Sequence, residues 1–391
     1  MESGAASSTS AGTCCLKCCI QNPPSRMIAT NGSRVEVRAF EAKGKKNLVV
    51  EWKAGGEAIF HRDCWNALVH ASQRAPGTAT DIELTDLERS MIKESKKTAE
   101  YHDSHAGVAE QAARVARILK DSSYCISFTG AGISTAAGIG DFRGKDGKWT
   151  EREKKKNYGS QATKAKGRGF VIEELRPTYT HEALVKLTEM GILKYLISQN
   201  TDGLHRLSGI PAENMSELHG NSFIEKCESC DARYERTFAC RQNKVPAPPL
   251  PCPKCKINHR TGRKCERKGC DSYLMNTIIN FGDYLESDVL RSAEHHAKRA
   301  DAVLVLGSTL RVSPANSLVA MGVEPHRIII CNRQTTPYDD DCGNGARVFG
   351  DCDRLMREVM RCLLPLPELT TWEKEREQRL VEYSLRRTLV K

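Results

Sequence analysis

Four apolar runs, each breaking off into glycine or polar residues, constrain this chain more than anything else in it. They are YCISFT at 124–129 leading into GAGIS, YLISQN at 195–200, AVLVLGS at 302–308 and RIIICN at 327–332. A short run without polar alternation has no face to offer to water, so as a strand it must be covered on both sides, as in a parallel sheet. Parallel strands need crossovers, and helical spacing lies between the runs. Val108, Ala112, Val115, Ile118 and Leu119 share one helix face, which Asp121-Ser122-Ser123 brings to a stop, and HEALVKLTEMG at 181–191 has the same period. The fold class expected is α/β, a doubly wound, Rossmann-like parallel sheet. Ligands of such sheets bind outside the carboxyl ends of the strands, so the residues just past each run are the first candidates for a site.

Composition narrows the context. The first twenty residues, MESGAASSTSAGTCCLKCCI, show no basic segment followed by an apolar one, so no secretory signal is expected and the 17 cysteines should stay reduced. In a reducing compartment Cys-x2-Cys pairs are metal ligands before they are disulfides. No apolar run approaches the roughly 20 residues that span a bilayer, so no membrane partner is expected. With 59 Lys+Arg against 49 Asp+Glu the chain carries +10 charges, which favours anionic partners such as nucleic acid.

Along the chain, residues 1–13 read as a disordered tail and 14–70 as a small separate unit. In that unit VEVRAF and NLVVEW flank the turn-like KGKK as two β-strands. Residues 71–103 read as a linker with a charged helix from Leu87 to Glu100, 104–365 as the main domain, and 366–391 as a charged C-terminal helix. In the main domain, Gly130, Gly132 and Ser134 form a strand–turn–helix junction that would let backbone N–H groups approach a phosphate, although GAG alone does not complete the dinucleotide fingerprint. Asp141-Phe142-Arg143, the strand end Ser198-Gln199-Asn200-Thr201-Asp202-Gly203, and His219 add acids, amides and a base suited to proton transfer near neutral pH.

In chain order, GAGIS-TAAGIGDFRG, PTYTHEAL, SQNTDGLH, ELHGN, TIINFGD and LGSTLRVSP resemble the sirtuin family over about residues 104–365. DGKWT, PTYTH and GRKC…TIINFGD are most similar to the nuclear branch containing human sirtuins six and seven and their plant relatives. The resemblance implies NAD-dependent removal of acyl groups from protein lysines, with release of nicotinamide and transfer of the acyl group to ADP-ribose. By the same resemblance Gly130, Ala131, Gly132 and Ser134 would hold the pyrophosphate, Asp141, Phe142 and Arg143 would cover the nicotinamide ribose, and Gln199 would bond ribose hydroxyls. Asn200 and Asp202 would form the nicotinamide pocket and act with His219, the general base. Gly307, Ser308, Asn332 and Cys352 would bind the adenosine end, and Ile279, Phe281 and Gly282 would line the acyl-lysine tunnel. Two positions depart from the family pattern: Gly140 stands where Pro is usual, and Gly307-Ser308-Thr309 inverts the usual G-T-S order.

The cysteines divide between two regions. Cys227-x2-Cys230 opens a structural zinc module expected at 224–275, and two pairs compete to complete it. Cys252-x2-Cys255 has the more usual knuckle spacing, whereas Cys265-x4-Cys270 lies immediately before the returning TIINFG segment and is preferred by resemblance. Four thiolates would then hold one zinc. Cys240, Cys252, Cys255 and His259 are left over as a possible second site. In the N-terminal unit, Cys15-x2-Cys18 and His61-x2-Cys64 resemble the zinc finger of poly(ADP-ribose) polymerases, which implies a further zinc and DNA recruitment, against a purely structural or protein-binding finger.

Taken together, these readings predict a nuclear NAD-dependent protein-lysine deacylase acting on histones or other acyl-lysine proteins, with DNA or nucleosomes as partners. The basic stretch at 151–169, seven Lys/Arg against two Glu, would contribute phosphate contacts or remain a solvated loop. The alternatives are a protein mono-ADP-ribosyltransferase of the same fold and a catalytically weak DNA- or chromatin-binding adaptor.

Overall fold

A computed structural model describes residues 27–29, 33–40, 45–52, 58–60, 100–140, 174–280 and 282–388. The chain divides into two compact units, one holding the strands of residues 27–60 and the other the bulk of the chain from Asp103 onward. In the first, β1 (Met27–Ala29) pairs antiparallel with β4 (Ala58–Phe60), and β2 (Ser33–Phe40) with β3 (Lys45–Trp52). The hairpin expected from VEVRAF and NLVVEW is present and two residues longer on each strand, from Ser33↔Trp52 to Phe40↔Lys45.

In the second unit the four apolar runs are β5 (Cys125–Thr129), β6 (Leu193–Ser198), β12 (Ala302–Leu306) and β13 (Arg327–Cys331). With two three-residue strands, β7 (Met215–Glu217) and β14 (Ala346–Val348), they make a parallel sheet in the order β14-β13-β12-β5-β6-β7. Every residue of β5 and β12 is buried, which is why their sequences lack alternation. Successive side chains still point to opposite faces. Cys125, Ala302, Leu304 and Leu306 pack with Val108, Val115 and Leu119 of helix α1 (His105–Asp121), whereas Ile126, Phe128, Val303 and Val305 pack on the other face. Each fully buried Leu, Ile or Phe contributes about 1.5–3 kcal/mol, so the two faces together dominate the stability of the unit. Helix α1 begins where Ser104 Oγ accepts the Gly107 N–H at 3.1 Å, and it buries the face read from its sequence.

Helix α2 (Tyr179–Glu189) links β5 to β6, and the short α3 (Leu204–Ser208) follows β6. Between β7 and β12 the chain builds an antiparallel sheet from β8 (Ile224–Cys227), β9 (Arg233–Glu235), β10 (Arg260–Lys264) and β11 (Tyr273–Asn276), in the order β10-β11-β8-β9. Its one fully buried carboxylate, Glu225, accepts from Arg236 Nε and Arg263 Nε, each at 2.7 Å. Helix α4 (Ser287–Ala297) returns the chain to the main sheet, and α5 (Cys352–Leu363) covers the face lined by α1. The C-terminal helix α6 (Leu366–Thr388) is not merely a solvated rod. Trp372 is buried edge-on to Tyr179 at 5.4 Å, and Glu182 of α2 accepts from Arg379 Nε at 2.8 Å and Tyr383 Oη at 2.5 Å.

Candidate active site and cysteine clusters

The loops that leave β5 and β12 lie against each other with no room for side chains. Gly130 N–H donates to Leu306 O at 3.0 Å and Gly132 N–H to Gly307 O at 2.8 Å. A Cβ on Gly132 would stand 2.6 Å from Gly307 Cα, and one on Gly130 would stand 2.7 Å from Gly307 O. Gly307 itself has φ +65°. These glycines are thus required by close backbone approach as well as by any phosphate. The α-helix expected directly after the turn is replaced by two 3-10 turns, Ala131–Ile133 and Thr135–Ala137, ended by Gly138 at φ +91°. The N–H groups of Gly130 and Gly132 are spent on Leu306 and Gly307, and those of Ile133 and Ser134 within the turn, so this strand end is a pair of tight turns and not a helix terminus.

Into this junction β6 delivers polar groups. Ser134 is fully buried and its Oγ donates to Asp202 Oδ2 at 2.7 Å, while Asp202 Oδ1 accepts the Leu204 N–H at 2.9 Å. Asn200 Nδ2 donates to Gly130 O at 3.1 Å, and Ser308 Oγ donates to Gln199 Oε1 at 2.8 Å. With Asn200 Nδ2 also 3.4 Å from Ser134 Oγ, Gly130, Asn200, Ser134 and Asp202 form one hydrogen-bonded network, and Gln199 with Ser308 a separate pair beside it. Groups bonded in this way are held in fixed orientations.

His219 follows β7, and its Nδ1 lies 2.9 Å from Gln199 O, so Nδ1 carries the proton and Nε2 presents a lone pair. Burial lowers its pKa, with the Gln199 carbonyl opposing. The backbone beyond it is locked to the segment after β11. Ile279 N–H donates to His219 O at 3.0 Å, Asn221 N–H to Thr277 Oγ1 at 3.0 Å, and a Cβ on Gly220, at φ +76°, would overlap Thr277 O at 1.9 Å. His219 and the segment carrying Ile279 are therefore held as one piece.

At the far side, Asn332 Nδ2 donates to Gln334 O at 2.9 Å, and Cys352 opens α5 with its Sγ 3.5 Å from Cys331 O. The Cys331 contact and burial together raise the Cys352 thiol well above its ordinary pKa, so it stays a neutral thiol and not a nucleophile. Asp141, Phe142, Arg143 and Phe281 lie outside the described residues, as do Cys15, Cys18, His61 and Cys64 of the N-terminal finger and the basic stretch at 151–169.

Two histidines beneath the loop were not singled out from the sequence. His181 Nδ1 accepts the Thr178 N–H at 3.2 Å, His205 Nε2 meets Thr129 Oγ1 at 2.9 Å, and the two rings are 4.8 Å apart. Burial pushes both down to about 3, with His181 adding to the effect on His205. Both lie in segments already quoted for the resemblance, PTYTH and DGLH, and His205 stands three residues after Asp202.

The cysteines between β8 and β11 form two clusters. Cys227, Cys230, Cys265 and Cys270 bring their Sγ atoms within 4.8 Å of one another, with Cys227–Cys270 and Cys230–Cys265 both at 3.6 Å. With Zn–S bonds of about 2.3 Å a tetrahedron has edges of about 3.7 Å, so the donors fit a closed structural zinc site. The competing pair, Cys252 and Cys255, lies instead with His259 and Asp283. Cys240, grouped with that pair from the sequence, is not in either cluster; its Sγ faces Phe238 O at 3.8 Å.

The Sir2 family model matches residues 130–314, which contain both glycine loops, the Gln199–Asp202 strand end and His219. An Arabidopsis thaliana protein named NAD-dependent protein deacetylase SRT1 is 38% identical over 267 residues, covering 68% of this chain and 52% of that protein. NAD-dependent protein deacetylase sirtuin-7 of Homo sapiens is 35% identical over 272 residues, 66% of this chain and 62% of its own length. NAD-dependent protein deacetylase Sirt6 of Drosophila melanogaster is 35% identical over 241 residues, 61% of this chain and 72% of its own. The chain thus spans about half the length of its plant relative. A parallel sheet whose glycine loops interlock at the strand ends, with relatives among plant SRT1, sirtuin-7 and Sirt6, means that the chain belongs to the Sir2, or sirtuin, family.

Proposed function

We propose that the protein is an NAD-dependent protein-lysine deacylase that acts on histones or other chromatin proteins in the nucleus. The observation that carries this reading is the orientation of His219. Its Nδ1 is committed to Gln199 O and its Nε2 has no partner among the described residues, with Ser134, Asn200 and Asp202 forming a buried network at the paired glycine loops. Gly130, Ala131, Gly132 and Ser134 would hold the pyrophosphate at the carboxyl end of β5, where Gly130, Gly132 and Gly307 let the two loops interlock. NAD supplies an anomeric carbon already bonded to a cationic leaving group. Asn200 and Asp202 would hold the nicotinamide amide in the buried pocket, Gln199 would take hydroxyls of the ribose, and Gly307 and Ser308 would bind the adenosine end. His219 Nε2 would accept a ribose hydroxyl proton, a role suited to a neutral imidazole. Asp141, Phe142 and Arg143 would close over the ribose, Ile279, Phe281 and Gly282 would take the acyl-lysine segment by backbone pairing, and Asn332 and Cys352 would border the adenosine end.

The four-cysteine cluster would hold zinc in a structural role, since all four positions are protein donors and none is left for a substrate. Recruitment to DNA would come from the unit at 14–70, through a zinc finger of Cys15, Cys18, His61 and Cys64, and from the basic stretch at 151–169. The test is incubation of the purified chain with acetylated histone peptide and NAD. Equimolar nicotinamide and deacetylated peptide are expected, and nicotinamide release that does not depend on peptide would overturn the reading.

A further inference from the structure

We infer that Cys252, Cys255, His259 and Asp283 form a second metal site, of the zinc class, that fastens the insertion between β9 and β10 to the segment after β11. The four donor atoms lie within 4.8 Å of one another. Cys252 Sγ is 3.2 Å from Asp283 Oδ1, Cys255 Sγ is 3.1 Å from His259 Nε2, and His259 Nε2 is 3.6 Å from Asp283 Oδ2. Tetrahedral zinc with sulfur, nitrogen and oxygen donors has edges of about 3.2–3.8 Å, so these three separations are close to those the ion requires. Two thiolates with one imidazole and one carboxylate select zinc over magnesium or calcium, which take oxygen donors.

The local backbone is built for ligation. Cys252 N–H donates to Ile257 O at 2.9 Å and Lys256 N–H to Cys252 O at 3.0 Å, closing a knuckle in which Lys256 has φ +61° and Pro251 bridges to Asn258. The supports of the other two ligands are independent of this knuckle. Asn276 donates its N–H and Nδ2 to His259 O at 2.9 and 2.8 Å, and Asn280 N–H donates to Asp283 Oδ2 at 3.1 Å. The ligands thus come from three separately held stretches of chain, which converge on one point.

What the insertion lacks also argues for a metal. Residues 241–251 are exposed almost throughout, with Val245 at 49% and Leu250 at 52%. Burial of apolar surface therefore does not fix this loop, and segments too small for a core are fixed by metals or covalent links. The site is separate from the four-cysteine cluster, with which it shares no donor. Asp283 follows Gly282 directly, so a metal here would also set the position of the segment that, on the deacylase reading, receives acyl-lysine.

Native mass spectrometry of the full chain purified with zinc counts the ions directly, in the absence of NAD and peptide. Cys252→Ser/Cys255→Ser and, separately, His259→Gln are each expected to carry one zinc fewer than the parent and to keep the rest. Retention of the parental count by His259→Gln would overturn the proposal, and this single variant decides if the double variant does not fold. So would a parent chain in which Cys252 and Cys255 are joined as a disulfide without metal. The count does not depend on catalysis, so its failure leaves the deacylase reading standing, and an inactive parent chain leaves the count standing.

Discussion

His219 Nδ1 and the carbonyl oxygen of Gln199 are 2.9 Å apart, and that contact leaves Nε2 as the ring nitrogen with a lone pair for a proton. Burial lowers the His219 pKa, with the Gln199 bond opposing. A base works while neutral, so depression extends its working range downward. The acid limb of kcat/KM for deacylation is expected below the ordinary histidine value of about 6.5. An acid limb at or above that value would contradict the assignment, and His219→Ala should lower kcat by about 10²–10⁴-fold.

Gly132 and Gly140 should respond oppositely to the same substitution. A Cβ on Gly132 meets Gly307 Cα at 2.6 Å and its carbonyl O at 2.9 Å, backbone that cannot step aside, whereas a Cβ on Gly140 meets nothing within 4 Å among the described residues. Gly132→Ala is expected to destabilise by about 1–3 kcal/mol and to weaken NAD binding. Gly140→Ala should be neutral or stabilising by up to about 1 kcal/mol through the unfolded chain. Thermal melts with and without NAD check both.

His181 and His205 make the fold sensitive to acid. Burial holds both at about 3 in the folded state, against about 6.5 unfolded. Between those values the unfolded chain binds protons that the folded one does not, so stability falls as pH drops from about 6.5 toward 3. Each histidine contributes a slope of about 1.4 kcal/mol per pH unit in that window. Urea titrations at pH 7, 6 and 5 should show the loss, and His181→Phe should flatten it; an unchanged slope in that variant would exclude His181 as a source.

Glu182 is 1% exposed and Arg379 31%, with Nε and Oε2 at 2.8 Å. Removing the cation leaves a buried carboxylate with a weaker set of partners. Arg379→Ala should cost about 3 kcal/mol, at the low end for broken buried pairs because the arginine keeps some solvent. Arg379→Ala in a Glu182→Gln background should cost much less, and equal costs in the two backgrounds would show that no coupling exists.

How far the sequence announced this structure depends on whether a segment's neighbours are local. β5, β6, β12 and β13 were legible because strands covered on both faces leave a continuous apolar record, and α1 because its apolar face repeats at helical period. β7 and β14 were not, since three residues paired to one neighbour carry no pattern of their own. The turns after Gly130 read as a helix start because the contact that bends them, Gly307, is far along the chain. Asp283 was missed as a metal-site candidate for the same reason: C-x2-C-x3-H points to three donors, and the fourth comes from beyond β11. α6 was read as a charged helix, but its docking rests on Trp372 and on partners in α2 that no local pattern names.

The central strand waits for its partner. Ser127 Oγ in β5 donates to Leu304 O in β12 at 3.0 Å across 177 residues of sequence, and everything from α2 to α4 is made in between. During synthesis, then, one edge of β5 emerges early and unpaired, and stays so until β12 has left the ribosome. Long-range parallel pairing closes slowly and exposes sticky intermediates. Ribosome-arrested chains ending before Ala302 should be cut by protease within β5, whereas chains extended past Cys331 should resist.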